Sequence, residues 1–244
     1  MVDRPLGVAP PAIDYGRMQK PVRTLFGWLI FRRISMALSK QVAKTSLPPT
    51  AITAAGLAAG AAAAGLFATG TYGLGVVAGA LAFVAKVCDG MDGEVARATH
   101  RDTRTGYVLD GLADRLRETL MLIGVGVGAA RAGHAGGASW ATWLACAVGG
   151  YLLFFYLSST APSHWREIRR ESDLDEKHAF RLGRSLRLGA GDTFAMLLFV
   201  AALAGRPGWV IYAVAGAAPV ALVLKLRSLL RTRPWDRVEG ASPP

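Results

Sequence analysis

The sequence predicts an all-α integral membrane protein: six transmembrane helices preceded by an N-terminal amphipathic helix at the membrane interface. Three observations carry this. Mean hydropathy over the 244 residues is +0.32 and 52% of them are apolar, too apolar a balance for an ordinary soluble domain. The apolar residues fall into six runs, each near the roughly 20 residues needed to cross a bilayer. The formal net charge of +11 is spread between those runs and is not gathered into one polar domain. That distribution fits attraction to anionic lipid headgroups or to an anionic substrate better than nucleic-acid binding.

Residues 1–16, MVDRPLGVAPPAIDYG, are proline-rich, lack the apolar core of a signal peptide and read as a flexible cytoplasmic tail. Residues 17–47 mix Arg17, Lys20, Arg23, Arg32, Arg33, Lys40 and Lys44 with Leu25, Phe26, Trp28, Leu29, Ile30 and Phe31. This is the composition of a basic amphipathic juxtamembrane helix. Leu47-Pro48-Pro49-Thr50 marks the change of structure, with Thr50 as the expected helix cap. One transmembrane domain then covers 48–230, with spans at about 50–69, 72–91, 106–130, 138–160, 188–205 and 207–228, and 231–244 form a cytoplasmic C-terminal tail. The run AITAAGLAAGAAAAG (51–65) is a surface on which helices approach closely. Cys88 and Cys146 lie far apart in or beside apolar runs and suggest packing, with no disulfide framework and no thiolate zinc site.

Lys and Arg counts orient the chain. In a six-span arrangement only Arg131 and Arg206 fall on one side, while the amphipathic segment, the 92–105 loop, the 161–187 loop and the C-terminal tail hold most of the others. The positive-inside rule puts both termini in the cytoplasm.

The informative stretch is VCDGMDGEVARATHRDTRTGYVLDGLADRLRE, Val87 to Glu118. Asp89 and Asp92 are spaced i, i+3 at the end of the second span; Asp110 and Asp114 are spaced i, i+4 near the start of the third. Either spacing places both side chains on one helix face. The third span has to begin before these charges, because Thr119 to Ala130 would cover only about 18 Å. Asp110, Asp114, Arg117 and Glu118 therefore sit at membrane depth, where ionisable groups line a polar cavity with partners or substrate. Four facing carboxylates repel unless divalent cations join them, and hard oxygen ligands suit Mg²⁺ or Mn²⁺. Two such ions bridging a pyrophosphate would neutralise charge as a P–O bond breaks. The alternative is salt bridging of these aspartates to Arg97, Arg101, Arg104, Arg115 and Arg117.

The pattern Asp89-x2-Asp92-Gly93-x2-Ala96-Arg97-x8-Gly106-x3-Asp110-x3-Asp114 resembles the signature of the class I CDP-alcohol phosphotransferases at all eight fixed positions. The resemblance implies a membrane enzyme of phospholipid biosynthesis. It would move a phosphoalcohol group from a CDP-alcohol, by default CDP-diacylglycerol, to an acceptor hydroxyl of a polyol phosphate and release CMP. It further implies two Mg²⁺ or Mn²⁺ ions held by Asp89, Asp92, Asp110 and Asp114, with Asp114 also the general base. Gly93, Ala96 and Gly106 would let the nucleotide approach the backbone, and Arg97 would meet its pyrophosphate or ribose side. A homodimer in a prokaryotic plasma membrane, with the site on the cytoplasmic side, belongs to the same expectation. Glu94, at a variable position, resembles branches that act on inositol phosphate or other polyol phosphates.

On the acceptor side, Arg184 and Arg187 are one helical turn apart in the basic loop before the fifth span, placed to clamp an acceptor's phosphate or to meet lipid headgroups. Asp192 would pair with one of them or contribute to the cavity wall. His100, His164 and His178 read as solvated loop residues, and Trp140, Trp143, Trp165 and Trp209 as interfacial anchors. Competing functions are a CDP-polyol-using enzyme of the di-inositol-phosphate type, a membrane prenyltransferase, and a cation transporter with an intramembrane Asp site. The chain has no asparagine, which removes the prenyltransferase's Asn-Asp-rich motif. The carboxylates sit at a span end without an inverted repeat, unlike a transporter's.

Overall fold

The computed structural model describes residues 13–18, 24–133, 137–165, 179–182 and 186–232. A 3₁₀ turn (Tyr15–Met18) and a π-helical turn (Gly27–Phe31) lead into α1 (Arg32–Val42), α2 (Pro49–Phe67), α3 (Tyr72–Ala98), α4 (Arg104–Arg131) and α5 (Gly137–Trp165). A short antiparallel pair, β1 (Ala179–Leu182) with β2 (Leu186–Gly189), precedes α6 (Ala190–Leu203) and α7 (Trp209–Thr232). The expected tails lie outside the described residues as far as residue 12 and from residue 233 on, and so do residues 166–178.

Among the described residues, four helical segments are long and apolar enough to cross a membrane: Pro49–Phe67, Tyr72–Ala98, Ser139–Leu157 and Trp209–Arg227. Two of the six expected spans do not reach that standard, each for a physical reason. α4 has the length, at 28 residues, but carries Asp110, Asp114, Arg115, Arg117 and Glu118 between its start and its middle. α6 is apolar but has 14 residues, about 21 Å at 1.5 Å per residue, because β2 occupies the start of the expected 188–205 run. Of the expected 17–47 helix, the described residues hold one α-helix, Arg32–Val42, entered through the π-helical turn, and the chain past Val42 leaves the helix.

Helix α2 begins at Pro49, with Pro48 as the extended cap residue; proline suits the first helical position because its missing N–H would have no partner there. Thr50 is therefore inside the first turn and not the cap. The small residues of α2 do what their composition suggests. A Cβ at Gly124 or Gly128 of α4 would run into the backbone carbonyls of Ala64 and Phe67, so the two helices touch backbone to backbone. α2 packs along both α3 and α4, α3 also packs on α6 and α1, and α5 packs on α7. The main core joins Phe67, Leu122, Val125, Tyr151, Leu198 and Ile211. Trp140 belongs to it: its ring is buried and its Nε1 donates to the Gly126 carbonyl at 3.2 Å, so it is a core residue and not an interfacial anchor. Trp143 and Trp209 are exposed.

α1 is pinned to α3 by one buried acid. Glu94 is fully buried, meets Arg32 at 2.8 Å and accepts from the Ser35 hydroxyl at 2.7 Å. Arg32 and Arg97 both donate to the Met18 carbonyl, which draws the N-terminal turn onto the end of α3. Glu94→Gln should lower stability by about 1.5–3 kcal/mol, the worth of a hydrogen bond to a charged group, seen as a lower unfolding temperature in detergent.

Candidate active site

The turn between α3 and α4 sets the site. α3 closes with a Schellman arrangement: the Arg101 N–H donates to the Ala96 carbonyl and the His100 N–H to that of Arg97, with His100 left-handed at φ 54°. The Thr103 hydroxyl then caps α4 by accepting from the Gly106 N–H at 3.0 Å. The chain so reverses within a five-residue link, 99–103. Asp92 stands six residues before the end of α3 and Asp110 six after the start of α4, each about 9 Å along its helix. Asp89 and Asp114 stand nine and ten residues in, about 14 Å. The four carboxylates are thus matched in depth as two cross-helix pairs, Asp89 with Asp114 and Asp92 with Asp110.

Oxygens of Asp89, Asp110 and Asp114 lie within 4.8 Å of one another, and all three residues are partly buried. Asp92 stands beside this group and is held separately. Its Oδ2 accepts from the Thr53 hydroxyl of α2 at 2.6 Å and its Oδ1 from the Gly93 N–H at 2.5 Å. The helices α3 and α4 lean on α2 and not closely on each other, which leaves the carboxylates facing across a cleft with α2 as its floor.

Three cations are woven among the acids. Arg117 Nη2 meets Asp89 Oδ1 at 3.2 Å and also Asp114 Oδ1, tying α4 to α3. Its stem lies over Gly60 of α2, where an added Cβ would overlap Cγ and stand 2.6 Å from Cδ. Lys86 Nζ holds Asp89 Oδ2 at 2.5 Å and lies 3.5 Å from Asp192 of α6. Arg115 meets Glu118 at 2.7 Å and Asp114 at 3.5 Å, donates to the Tyr151 hydroxyl at 3.0 Å, and stacks 3.4 Å over the Phe155 ring. Tyr151 in turn donates to Glu118. The expected alternative of Arg–Asp salt bridges is therefore realised for Arg115 and Arg117. Still, these three cations are shared by Asp89, Asp114, Glu118 and Asp192, while Asp92 and Asp110 meet none of them in the described ion pairs, so six carboxylates stand against three cations. That excess of hard oxygen donors, three of them convergent, suits one or two divalent ions.

Of the other predicted residues, Gly93, Ala96, Arg97 and Gly106 are all partly accessible on α3 and at the start of α4. Glu94 points to α1, as above. Arg184 lies outside the described residues and Arg187 is described only in the backbone of β2, opposite Arg181. Asp192, expected to pair with Arg184 or Arg187 or to contribute to the cavity wall, has Lys86 and the Thr24 hydroxyl (2.6 Å) as its described partners, and the side chains of Arg184 and Arg187 lie outside the described residues. The sequence does not single out Lys86, Tyr151 and Thr53. Only Lys86 leaves a signal, as a lone cation inside an apolar run.

A cavity of about 320 Å³ opens at the other end of the bundle, among Phe67, Tyr72, Trp140, Arg206, Trp209 and Tyr212. None of the four aspartates lines it, so it is separate from this site.

A family model described as CDP-alcohol phosphatidyltransferase matches residues 46–221, well over half of the chain. The match spans α2 to α6 and the first half of α7, and so includes every residue of the acidic cleft. No curated protein matches the chain significantly.

Proposed function

Because the chain belongs to the CDP-alcohol phosphatidyltransferase family, we propose that it transfers a phosphatidyl group from CDP-diacylglycerol to the hydroxyl of a polyol phosphate, releasing CMP, in phospholipid biosynthesis. The observation that carries this reading is the convergence of Asp89, Asp110 and Asp114 within 4.8 Å, beside Asp92, in a cleft between two helices whose residues fit the family's signature. Asp89, Asp92, Asp110 and Asp114 would hold two Mg²⁺ or Mn²⁺ ions, which supply charge neutralisation of the donor's pyrophosphate and a polarised phosphorus. Gly93, Ala96 and Gly106 offer side-chain-free or small surface to the nucleotide, and Arg97 reaches its phosphates or ribose.

The chain's own chemistry centres on Asp114. A carboxylate beside the reacting phosphorus takes the proton of the acceptor hydroxyl as its oxygen forms the new P–O bond; the bond to CMP breaks, and CMP leaves with that electron pair. Arg117, braced between Asp89 and Asp114, keeps the Asp114 carboxylate aimed into the cleft. Arg115, paired with Glu118 and stacked on Phe155, ties the same helix to α5. The half-buried position raises the strength of each charge interaction over its value in water.

The membrane arrangement we favour keeps six spans, α2 to α7, with α4 crossing because its charges face the cleft and not lipid, and α6 crossing together with its flanking residues. The juxtamembrane α1 rests at the interface. Both termini and the cleft face the cytoplasm, and the chain works as a homodimer.

Incubating purified protein in lipid with CDP-diacylglycerol or soluble CDP-alcohols tests the reaction. Glycerol-3-phosphate, inositol-1-phosphate, serine and phosphatidylglycerol serve as acceptors, with CMP as readout. CMP release that needs a phosphorylated polyol is expected. Release only with a CDP-polyol donor would replace the phosphatidyl assignment with the di-inositol-phosphate type. In the same assay Arg184→Ala and Arg187→Ala should each raise the Michaelis constant for a phosphorylated acceptor about tenfold, the loss of one charged hydrogen bond. Unchanged values would remove these residues from the acceptor site.

A further inference from the structure

A lysine that belongs to none of the signature positions stands between the acidic cleft and α6. Lys86 Nζ touches Asp89 Oδ2 at 2.5 Å and Asp192 Oδ1 at 3.5 Å, and all three side chains are largely buried. Asp114 and Arg117 are the next charges that act on it. Asp192 lies in the first turn of α6, where the helix dipole favours a negative charge. Its second oxygen is fixed by the Thr24 hydroxyl at 2.6 Å. Gly191 keeps this space open: a Cβ there would stand 3.3 Å from Lys86 Nζ and 3.1 Å from Glu118 Oε1. One ammonium group thus has two carboxylate seats on different helices, and one seat belongs to the converging trio.

An ammonium and a divalent cation on the same carboxylate repel each other, so Lys86 and a metal ion compete for Asp89. Asp192 gives the lysine another seat without its leaving the protein. We infer that Lys86 and Asp192 are positioning residues that set the affinity of the acidic cleft for divalent cations, with Asp192 drawing the Lys86 ammonium away from Asp89. This rests on the metal-dependent reading of the cleft. It also joins Thr24, ahead of α1, to the cleft through one chain of contacts: Thr24 to Asp192 to Lys86 to Asp89.

Opposite signs separate this role from a structural one. Asp192→Asn leaves Lys86 to Asp89 alone and should weaken Mn²⁺ binding about tenfold. Lys86→Met removes the competing charge and should tighten it. In the Lys86→Met background the effect of Asp192→Asn should fall below about threefold, since the two residues act through each other. Lys86→Arg keeps the charge and should preserve the full Asp192→Asn effect. The measurement is Mn²⁺ binding by electron paramagnetic resonance on full-length protein in lipid, without substrates, with thermal unfolding of each variant alongside. If Lys86→Met weakens binding as Asp192→Asn does, or if the Asp192→Asn effect persists undiminished in the Lys86→Met background, the inferred role is overturned while the metal reading stands. If the wild type binds no Mn²⁺, or Asp89→Asn binds it equally well, the metal reading fails and takes this inference with it.

Discussion

Asp114→Asn should release CMP at least about a thousandfold more slowly than the wild type while still binding cytidine nucleotide, the upper part of the range for losing a general base. Asparagine keeps the shape of the side chain and an oxygen to accept from Arg117, so the tie between α4 and α3 survives in weakened form. What disappears is the only group of the trio assigned to take the acceptor's proton. Asp89→Asn should behave differently. Asp89 has both oxygens engaged, by Lys86 and Arg117, and is a proposed metal ligand, so its loss should lower metal and nucleotide affinity as well as turnover. Equilibrium binding of a cytidine nucleotide, measured beside single-turnover CMP release, separates the two. Equal loss of binding in both variants would show that Asp114 acts only as a ligand.

The second large effect comes from a residue with no chemistry of its own. Gly60→Val should reduce turnover by about a hundredfold or more and lower the unfolding temperature. The new side chain enters the space of the Arg117 stem, and overpacking alone costs about 1–3 kcal/mol. Arg117 is 3% exposed and has little room to move, so its guanidinium leaves Asp89 or Asp114. Breaking a buried charged pair adds a cost of about 3–5 kcal/mol where no new partner is found. Gly65→Ala on the same helix is the control, because a Cβ there meets nothing within 4 Å; its stability and turnover should match the wild type. Activity and thermal unfolding of the two variants side by side check the assignment of Arg117. A Gly60→Val protein with full turnover would show that the Asp89–Arg117–Asp114 link is dispensable.

The main lines of this arrangement are legible in the sequence because they depend on local rules. Two carboxylates at i, i+3 and two at i, i+4 must share helix faces. A short polar link between apolar runs must turn the chain back, and equal distances from that link must match the pairs in depth. Small residues between 51 and 65 announce close packing, though not that Gly60 serves the Arg117 stem. What escapes is set by which helices meet in space. Lys86 reads as a stray cation in an apolar run until α6 brings Asp192 beside it. Tyr151 is an ordinary apolar-run tyrosine until α5 places its hydroxyl between Arg115 and Glu118. Glu94, adjacent to the signature's Gly93, suggests substrate by its position, but helical geometry turns it away from Asp92 toward Ser35 and Arg32. α4 has the length of a span but not the hydropathy, because the charges of the acidic cluster and its partners lower it.

Metal-dependent transfer from a CDP-linked donor in the acidic cleft is read out by CMP release from the purified protein in lipid, with CDP-diacylglycerol and a polyol phosphate, with and without divalent metal. CMP should form with Mg²⁺ or Mn²⁺, cease after chelation, return when metal is restored, and not form with Asp114→Asn. No cytidine-nucleotide binding in the presence of metal, or CMP release that continues unchanged in Asp114→Asn, would contradict it.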